Sequence, residues 1–291
     1  MGEPFVGREA VACGLVTRSH LETRYIRLFR GVYIDRDSEV TAAVRAKAGW
    51  LWTGRRGIIA GFSASALHGS KWVDDRRTVE LIHDNHHRPA GIQLRRDVVA
   101  ADEIAMIGDL PVTSPTRTAL DLGCWYPTTT AVAGIDALAS ATEIKAADIE
   151  LLVRRYPGRR GIAAARRAAD LFDAGSQSPK ETWLRLLLVN AGLPRPQTQI
   201  QVLDEFGGAF AYVDMGWGDV KVAVEYDGEQ HRSDRRQYAW DVRRLERLER
   251  LGWIVVRVVA GDRPGDIVGR VRAARSRRVP AQPGARRPRP V

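Results

Sequence analysis

A strand that ends in two carboxylates places the strongest constraint on how this chain folds. The segment VKVAVEYDG, residues 220–228, alternates apolar with polar residues at a period of two, which predicts a β-strand with one apolar face. Glu225 and Asp227 share the other face, where like charges repel at neutral pH unless water or a cation separates them. The segment therefore predicts either a cation site or a solvated strand end that discourages edge-to-edge aggregation.

The preceding segment predicts a partner strand and a further acid. Gly218 and Asp219 form a dipeptide suited to a two-residue hairpin turn, and such a turn pairs Asp214 with Ala223. Asp214 and Glu225 are then diagonal neighbours on one face, about 7–8 Å apart at the backbone. This spacing predicts that both carboxylates bind one cation.

Oxygen ligands of this kind predict a hard divalent metal with Asp214 and Glu225 as its ligands. Mg²⁺, or Mn²⁺ in its place, accepts carboxylates and keeps several waters. Such an ion polarises a phosphodiester and helps to generate hydroxide. The predicted chemistry is therefore phosphodiester hydrolysis.

A helix start upstream contributes a third acid. In SPKETWLRLLL, Ser178, Pro179 and Glu181 occupy the N-cap, N1 and N3 positions of a predicted helix. Glu181 thus has a structural explanation as the acid of a capping box. The alternative is that Glu181 completes the metal site from a separate segment of the chain.

These motifs make residues 175–264 similar to the PD-(D/E)xK superfamily of restriction-endonuclease-like domains, and particularly to relatives of the very-short-patch-repair endonuclease. The matching positions agree in order and spacing: Glu181, Asp214, Glu225, Asp227, Gly228, Gln230, His231, Asp241, Arg244 and Gly252. The resemblance implies an α/β/α sandwich that cleaves DNA, with Arg244 at the DNA. It implies catalytic roles for Glu181, Asp214, Glu225, Asp227, Gln230 and His231.

One position departs from the superfamily pattern. Asp227 stands where the superfamily has a lysine, two residues after the glutamate. Positioning or activation of water would then fall to another group, with His231, Gln230 and Lys221 as the candidates. A folded domain that binds DNA without cleaving it is the alternative.

The N-terminal segment predicts a small DNA-binding region. GREAVACGLVTRSHLETRYIRLFRGVYI predicts two short helices separated near Gly14, followed by an extended segment with a glycine at its turn. This order is typical of winged-helix DNA-binding domains. Four arginines fall on the second helix and the wing, where such folds contact phosphates: Arg18, Arg24, Arg27 and Arg30. The alternative is an ordinary helical pair with a solvated basic face.

Several runs within residues 1–125 resemble AbiEi-type antitoxins of type IV toxin–antitoxin systems. The matching runs are LFRGVYI, ASALHG, RPAGIQLRRD and LPVTSPTRTALDLG. The resemblance implies a winged helix that binds operator DNA and represses transcription, followed by a larger domain. It also implies a cognate toxin or another protein as a partner besides DNA.

The formal net charge of +10 indicates a polyanionic partner, and most of the excess lies near the C-terminus. Residues 265–291 carry eight arginines and one aspartate. Because this segment is also rich in proline, it predicts a flexible arm that raises nonspecific affinity for nucleic acid. A solvated tail without a partner is the alternative.

Cysteine usage and hydropathy predict a cytoplasmic protein. Cys13 and Cys124 are too few for a disulfide framework. The N-terminal segment lacks the continuous apolar stretch of an export signal, and no apolar run is long enough to cross a membrane.

Together these signals predict a mixed α/β protein of two domains. Residues 1–55 form a winged-helix-like DNA-binding region, 56–174 an AbiEi-like mixed α/β and helical region, 175–264 a restriction-endonuclease-like α/β/α sandwich, and 265–291 a basic tail. The leading hypothesis is a DNA-binding protein with a Mg²⁺-dependent endonuclease domain. The alternatives are a transcriptional repressor or antitoxin without catalysis, and a scaffold that binds a protein partner.

Overall fold

Two compact units make up the chain. The computed structural model describes residues 2–85, 89–228 and 235–278, with the backbone alone for residues 235–239. One unit ends at Ala174 and the other begins at Gly175. Each unit combines helices with β-sheet, which confirms the predicted mixed α/β class. Every helix within the described ranges is too short or too polar to span a membrane.

The first unit opens with two short helices and an antiparallel sheet of order β1-β3-β2. The elements are β1 (Phe5–Val6), α1 (Gly7–Ala12), α2 (Arg18–Thr23), β2 (Tyr25–Phe29), β3 (Val32–Asp35) and α3 (Ala42–Trp52). Thr17 and Thr41 cap α2 and α3, because their hydroxyl groups accept backbone N–H bonds of 3.2 and 3.3 Å. Gly31 takes φ +79° in the turn between β2 and β3, a conformation that favours glycine.

A mixed five-stranded sheet of order β6-β5-β4-β8-β7 follows. Its strands are β4 (Ile58–Ile59), β5 (Val79–Ile82), β6 (Ile92–Arg95), β7 (Ile104–Ile107) and β8 (Leu110–Thr113), with α4 (Gly61–Leu67) between β4 and β5. The pairs β5–β6 and β4–β8 are parallel, whereas β4–β5 and β7–β8 are antiparallel. The short strands agree with a sequence that glycine and proline interrupt repeatedly.

Helices complete the first unit: α5 (Pro115–Trp125), α6 (Thr128–Ala141), α7 (Ala146–Arg155) and α8 (Ile162–Leu171). The Ser114 hydroxyl accepts the Arg117 N–H at 3.3 Å and Pro115 occupies the first turn, so local residues define the start of α5. The helix α5 contacts α6, α7 and α8, and it buries Leu120 and Leu122 completely.

One core joins residues on both sides of the predicted boundary at 55/56. Phe29 and Trp50 belong to the same buried cluster as Ile59, Leu81 and Val112 of the five-stranded sheet. Each such apolar side chain contributes about 1.5–3 kcal/mol when it is fully buried, so this shared core holds the two regions together. The boundary at 55/56 therefore does not separate two compact units, because the first unit extends to Ala174.

The second unit is a four-stranded sheet between two layers of helix. Its elements are α9 (Pro179–Asn190), β9 (Gln197–Leu203), β10 (Ala209–Trp217), β11 (Val222–Asp227), α10 (Arg235–Arg250), β12 (Ile254–Val259) and α11 (Pro264–Ser276). The strand order is β12-β11-β10-β9, in which only β11–β12 is a parallel pair. Leu184 of α9 and Ile267 of α11 pack with Val224 on one face, while Leu248 of α10 packs with Ala223 on the other.

The hairpin between β10 and β11 differs from the prediction in its register. The observed turn has four residues, Gly218 to Lys221, and it pairs Gly216 rather than Asp214 with Ala223. Lys221 takes the left-handed conformation at φ +49° within this turn. Extending the register by one residue beyond the pair of Met215 and Val224 brings Asp214 directly opposite Glu225. The two acids are thus neighbours across the strands and not diagonal neighbours.

Much of the segment predicted as a flexible basic arm is a packed helix. The helix α11 buries Ile267, Val268, Val271 and Ala274. Arginines in and just after α11 also have structural roles, because Arg272 donates to the Ala191 carbonyl at the end of α9 and Arg278 donates to the Gly252 carbonyl after α10. The prediction of an arm from residue 265 onward is wrong for residues 265–276. Residues 279–291 lie outside the described residues.

Candidate functional site

An ion pair between Glu225 of β11 and Arg244 of α10 forms the centre of an acidic pocket in the second unit. Arg244 Nη2 donates to Glu225 Oε1 at 2.6 Å, and Nη1 donates to Oε2 at 3.1 Å. The same Nη2 donates to the Tyr212 carbonyl at 2.6 Å. The side chains of Arg244 and Glu225 are only 14% and 12% exposed, so water screens this bidentate pair weakly.

The electrostatics of Arg244 follow from this contact. Burial acts to lower the pKa of Arg244, but the hydrogen bond and the charge of Glu225 outweigh that effect and the pKa is raised. Arg244 therefore remains a cation inside the pocket.

Asp214 of β10 lies beside the pair in a less favourable environment. Its Oδ2 accepts the backbone N–H of Tyr226 at 3.0 Å. Burial raises the pKa of Asp214 to about 7, and the negative charges of Glu181 and Glu225 act in the same direction. Asp214 is thus near the midpoint of its titration at neutral pH, and the acids predicted from three separate segments lie within electrostatic reach of one another.

Glu181 has the structural role that the capping-box motif predicts. Its Oε1 accepts the Ser178 hydroxyl at 2.9 Å, its Oε2 accepts the Gln177 N–H at 2.9 Å, and its own N–H donates to the Ser178 hydroxyl at 3.2 Å. Both carboxylate oxygens therefore accept hydrogen bonds at the start of α9. The charge of Glu181 nevertheless acts on the pKa of Asp214.

The pocket contains further charges. Its volume is about 200 Å³, and its charged lining residues are Asp214, Glu225, Asp227, Asp241, Arg244 and Arg257. Arg257 of β12 donates to Asp227 Oδ2 at 2.6 Å. Among the described residues, four carboxyl groups and two guanidinium groups thus line one pocket beside the C-terminal end of β11.

These donors do not fit a divalent cation in the arrangement that the structure describes. Their chemistry is suitable, since carboxylate oxygens are the ligands that Mg²⁺ and Mn²⁺ prefer. However, Arg244 binds both oxygens of Glu225, the helix cap binds both oxygens of Glu181, and Arg257 binds Asp227. Within residues 2–85, 89–228 and 235–278, no group of three His, Cys, Asp or Glu side chains is arranged to hold a metal.

The structure places only one of the three residues that were predicted to position or activate water in place of a lysine. Gln230 and His231, predicted as catalytic, lie outside the described residues. Lys221 lies in the turn before β11, and its Nζ donates to the Leu251 carbonyl at 3.1 Å, at the C-terminal end of α10. Lys221 therefore lies at the opposite end of β11 from Asp227, and its role is structural.

The five predicted DNA-binding arginines divide into two groups. Arg18 begins α2, Arg24 follows it, Arg27 lies on β2 and Arg30 lies in the turn before β3. These four side chains are exposed. Arg244 differs, because its guanidinium group is bound to Glu225 in the second unit.

The first unit contains a buried ion-pair network that the sequence patterns did not predict. Arg117 of α5 is 1% exposed; it pairs with Glu103 and donates through Nε to Asp121 at 2.8 Å. Arg159 donates to the same Asp121 oxygen at 2.6 Å, and Tyr156 donates to Glu103 at 2.5 Å. The spacing of four residues between Arg117 and Asp121 was the signal available in the sequence.

The middle of the chain is similar to a known protein family. Residues 56–174 match the family model of the AbiEi antitoxin C-terminal domain. The AbiEi resemblance predicted from the sequence is therefore confirmed for this part of the chain. The Arg117 network and the five-stranded sheet both lie in the AbiEi-like region.

Similar proteins extend over most of the chain. Two proteins of Mycobacterium tuberculosis, "Uncharacterized protein MT2308" of strain CDC 1551 / Oshkosh and "Uncharacterized protein Rv2248" of strain ATCC 25618 / H37Rv, are each 27% identical over 271 residues. That alignment covers 88% of this chain and 96% of each relative. The crystal structure of the RV2827C protein from Mycobacterium tuberculosis is 12% identical with a TM-score of 0.38, over 69% of this chain and 84% of that chain.

Proposed function

We propose that this chain is a DNA-binding regulator of the AbiEi-antitoxin type that acts in the cytoplasm. The observation that carries the proposal is the exposure of Arg18, Arg24, Arg27 and Arg30 on consecutive elements of the first unit. No hydrogen bond or ion pair of these four guanidinium groups occurs within the part of the chain that the structure describes. Exposed guanidinium groups without intramolecular acids are available to phosphates.

The order of elements supports a winged-helix role for this region. The helices α1 and α2 precede the hairpin of β2 and β3, and Arg30 lies at the hairpin turn beside Gly31. In this proposal α2 and the hairpin contact the duplex, with Arg18 and Arg24 at the helix and Arg27 and Arg30 at the wing. Phosphate contacts of this kind position a protein on DNA without specifying the sequence.

The AbiEi match supports the regulatory side of the proposal. Residues 56–174, which match the antitoxin domain, follow the arginine-bearing elements in the same compact unit. A cognate toxin is accordingly the proposed protein partner. Co-expression with a candidate toxin from the same genome, followed by size-exclusion chromatography of the pair, tests that partnership.

Fluorescence anisotropy tests the DNA-binding proposal. The probe is a labelled duplex from the region upstream of the protein's own coding sequence, with an unrelated duplex as competitor. Arg24→Ala combined with Arg27→Ala should weaken binding and lower the slope of log K against log salt by about 0.9 for each phosphate that is no longer neutralised. Arg154→Ala combined with Arg166→Ala is the matched control, because it removes two charges from the same unit where both arginines pair with Glu150.

The control variant should bind nearly as the wild type does. An equal loss of affinity in both double variants would mean that binding follows net charge alone. If neither double variant loses affinity for DNA, Arg24 and Arg27 do not contact DNA, and the proposal for α2 and the hairpin is wrong.

A second candidate function, metal-dependent endonuclease activity, is supported by the position of Asp214 and Glu225 in one pocket and by the charge of Glu181, which acts on Asp214. Bound Mg²⁺ or Mn²⁺ would supply polarisation of a phosphodiester. In this proposal activity depends on Asp214 and Glu225, with Asp227, Gln230 and His231 as further contributors. Because Arg244 binds both oxygens of Glu225, activity also requires this ion pair to open.

Cleavage assays distinguish this enzyme from a regulator. The purified protein is incubated with duplex, single-stranded and mismatched DNA in the presence of Mg²⁺ or Mn²⁺. Glu225→Gln should eliminate cleavage, whereas Glu249→Gln, an exposed acid on α10, should not. If the wild type binds DNA but cuts none of these substrates, the regulator is the correct assignment.

A further inference from the structure

Arg244 lies where a cation bound to Glu225 would be expected to lie. Its guanidinium group contributes the positive charge that neutralises Glu225 and contacts both carboxylate oxygens. Its third hydrogen bond, to the Tyr212 carbonyl, fixes it against β10. Among the described residues, no group of acids is arranged to hold a metal, and the occupancy of both Glu225 oxygens by Arg244 is one structural cause of this, beside the cap bonds of Glu181 and the pair of Asp227 with Arg257.

We propose that Arg244 is an internal counter-ion that competes with a divalent cation for Glu225. The pocket is closed to metal while the guanidinium group remains on the carboxylate, and it opens when the group moves to another anion, namely a phosphodiester of DNA. This inference concerns the acids of the second candidate function and rests on that candidate, but it does not require that cleavage occurs.

The energetics of buried ion pairs support competition. Removal of one member of a buried pair strongly destabilises a protein, because it leaves an uncompensated charge away from water. Glu225 is buried, so it needs a positive partner at all times. Arg244 and a divalent cation would satisfy the same need, and simultaneous binding would require both to use the same two oxygens.

The chemistry of the guanidinium group points to phosphate as the competing anion. Arginine binds phosphate and carboxylate in the same bidentate geometry. Movement of Arg244 from Glu225 to a phosphodiester therefore replaces its two hydrogen bonds to the carboxylate with two to the phosphate and leaves the carboxylate free for a cation. Cation affinity and DNA affinity would then increase together, because linkage between two binding sites is reciprocal.

Metal titration of Arg244→Gln tests the competition directly. Binding of Mn²⁺ is measured from the loss of the electron paramagnetic resonance signal of the free ion, on full-length protein without DNA. We expect Arg244→Gln to bind Mn²⁺ about tenfold or more tightly than the wild type, which corresponds to a typical coupling between sites. Arg244→Lys keeps the charge but not the bidentate geometry, so its affinity for Mn²⁺ should lie between those of the wild type and Arg244→Gln.

Two controls separate this effect from general changes in charge and folding. Arg247→Gln removes the same charge one turn along α10, where Arg247 pairs with Asp204 and Glu205, and it should leave Mn²⁺ affinity unchanged. The double variant Arg244→Gln with Glu225→Gln removes both members of the pair, so it should fold and lose the gain in affinity. If Arg244→Gln alone is unstable, Arg244→Lys, which keeps a positive charge in the pocket, provides the comparison with the wild type.

A second experiment measures whether DNA releases Arg244 from Glu225. Wild-type protein saturated with a short duplex should bind Ca²⁺, which supports little cleavage, about tenfold or more tightly than free protein, while Arg244→Gln should show no such increase. Isothermal titration calorimetry measures both affinities. If the wild type binds Ca²⁺ equally well with and without DNA, the proposal that a DNA phosphate releases Arg244 from Glu225 is wrong.

The outcomes separate this inference from the candidate endonuclease. Equal Mn²⁺ affinity in the wild type and in Arg244→Gln would overturn the competition, whether or not the protein cleaves DNA. If neither the wild type nor Arg244→Gln binds Mn²⁺, both the competition and the cation site itself are ruled out. Tight binding by Arg244→Gln without cleavage by any form would support the counter-ion and reject the endonuclease.

Discussion

The backbone N–H of Tyr226 donates a hydrogen bond of 3.0 Å to Oδ2 of Asp214, and this bond connects β10 with β11 beside the ion pair of Glu225 and Arg244. The bond favours the ionised carboxylate. Burial and the charges of Glu181 and Glu225 oppose ionisation more strongly, so the pKa of Asp214 rises to about 7. Asp214 is therefore a carboxyl group whose charge changes near neutral pH.

The first prediction is that Asp214 makes the second unit less stable as pH rises. Its folded-state pKa of about 7 exceeds the ordinary value of 3.8, so the folded state binds more protons between these values. The stabilisation is fully present below the ordinary value and is lost as pH rises through about 7. Asp214→Asn cannot ionise, and its amide oxygen can still accept the Tyr226 N–H. The free energy of unfolding of this variant should therefore rise relative to that of the wild type as pH increases, by up to about 4 kcal/mol.

Urea unfolding at several pH values between about 4 and 8 measures this difference. Asp219→Asn, which removes a carboxylate exposed in the hairpin turn, is the matched control for the loss of an acid from the same unit. A constant difference between Asp214→Asn and the wild type across this range would contradict the prediction.

A second prediction concerns Arg117 in the first unit. Arg117→Met keeps much of the side-chain volume but removes the cation that contacts Glu103 and Asp121. Because it breaks a buried network and leaves acids with fewer partners, we expect a loss of about 3–5 kcal/mol in the free energy of unfolding. Denaturant titration followed by circular dichroism measures the loss.

Arg166→Met is the matched control for Arg117. Arg166 forms a half-exposed pair with Glu150 at 3.7 Å, and pairs of this kind contribute about 0–1 kcal/mol. Losses of similar size in the two variants would mean that the Arg117 network contributes no more than a surface ion pair.

The third prediction tests the close approach of β10 and β11. A Cβ atom at Gly216 would lie 2.2 Å from the Val222 carbonyl oxygen and 2.9 Å from the Ala223 Cα, and both are backbone atoms. Gly216→Ala should therefore destabilise the second unit by about 1–3 kcal/mol. At Gly218 the nearest atom would be 3.4 Å away, so Gly218→Ala should have little effect. Thermal unfolding of the two variants compares them, and equal melting curves would contradict this prediction.

A fourth prediction addresses residues 279–291, which contain Arg286, Arg287 and Arg289. Deletion of this segment should lower nonspecific DNA affinity and make the salt dependence shallower by up to about 0.9 for each phosphate that the segment neutralises. Replacement of the three arginines by lysine keeps the charge and should leave the slope unchanged. An unchanged slope after deletion would mean that the segment does not bind DNA.

Local signals predicted the helix starts, because their determinants lie within a few residues. Ser178 accepts the backbone N–H of the third helical residue, with proline at the first position, as the sequence predicts, and Ser114 has the same role at the start of α5. The hairpin register was harder to predict, because the left-handed Lys221 extends the turn to four residues. The resulting shift of two residues kept Asp214 and Glu225 on one face, since side chains alternate with a period of two.

Local patterns in the sequence were enough to assign the acids to their strands, to predict the capping role of Glu181, and to detect runs within residues 1–125 that resemble AbiEi-type antitoxins. The contact between Arg244 and Glu225 became evident only from the folded chain. The two residues are 19 positions apart, and their contact depends on how α10 packs against the sheet through Leu248 and Ala223. The same packing excludes water from the pair and buries Asp214 beside the charges of Glu181 and Glu225, which is why its pKa rises. A pattern of residues can therefore identify the acids of a site, whereas the charge that neutralises them is set by long-range packing.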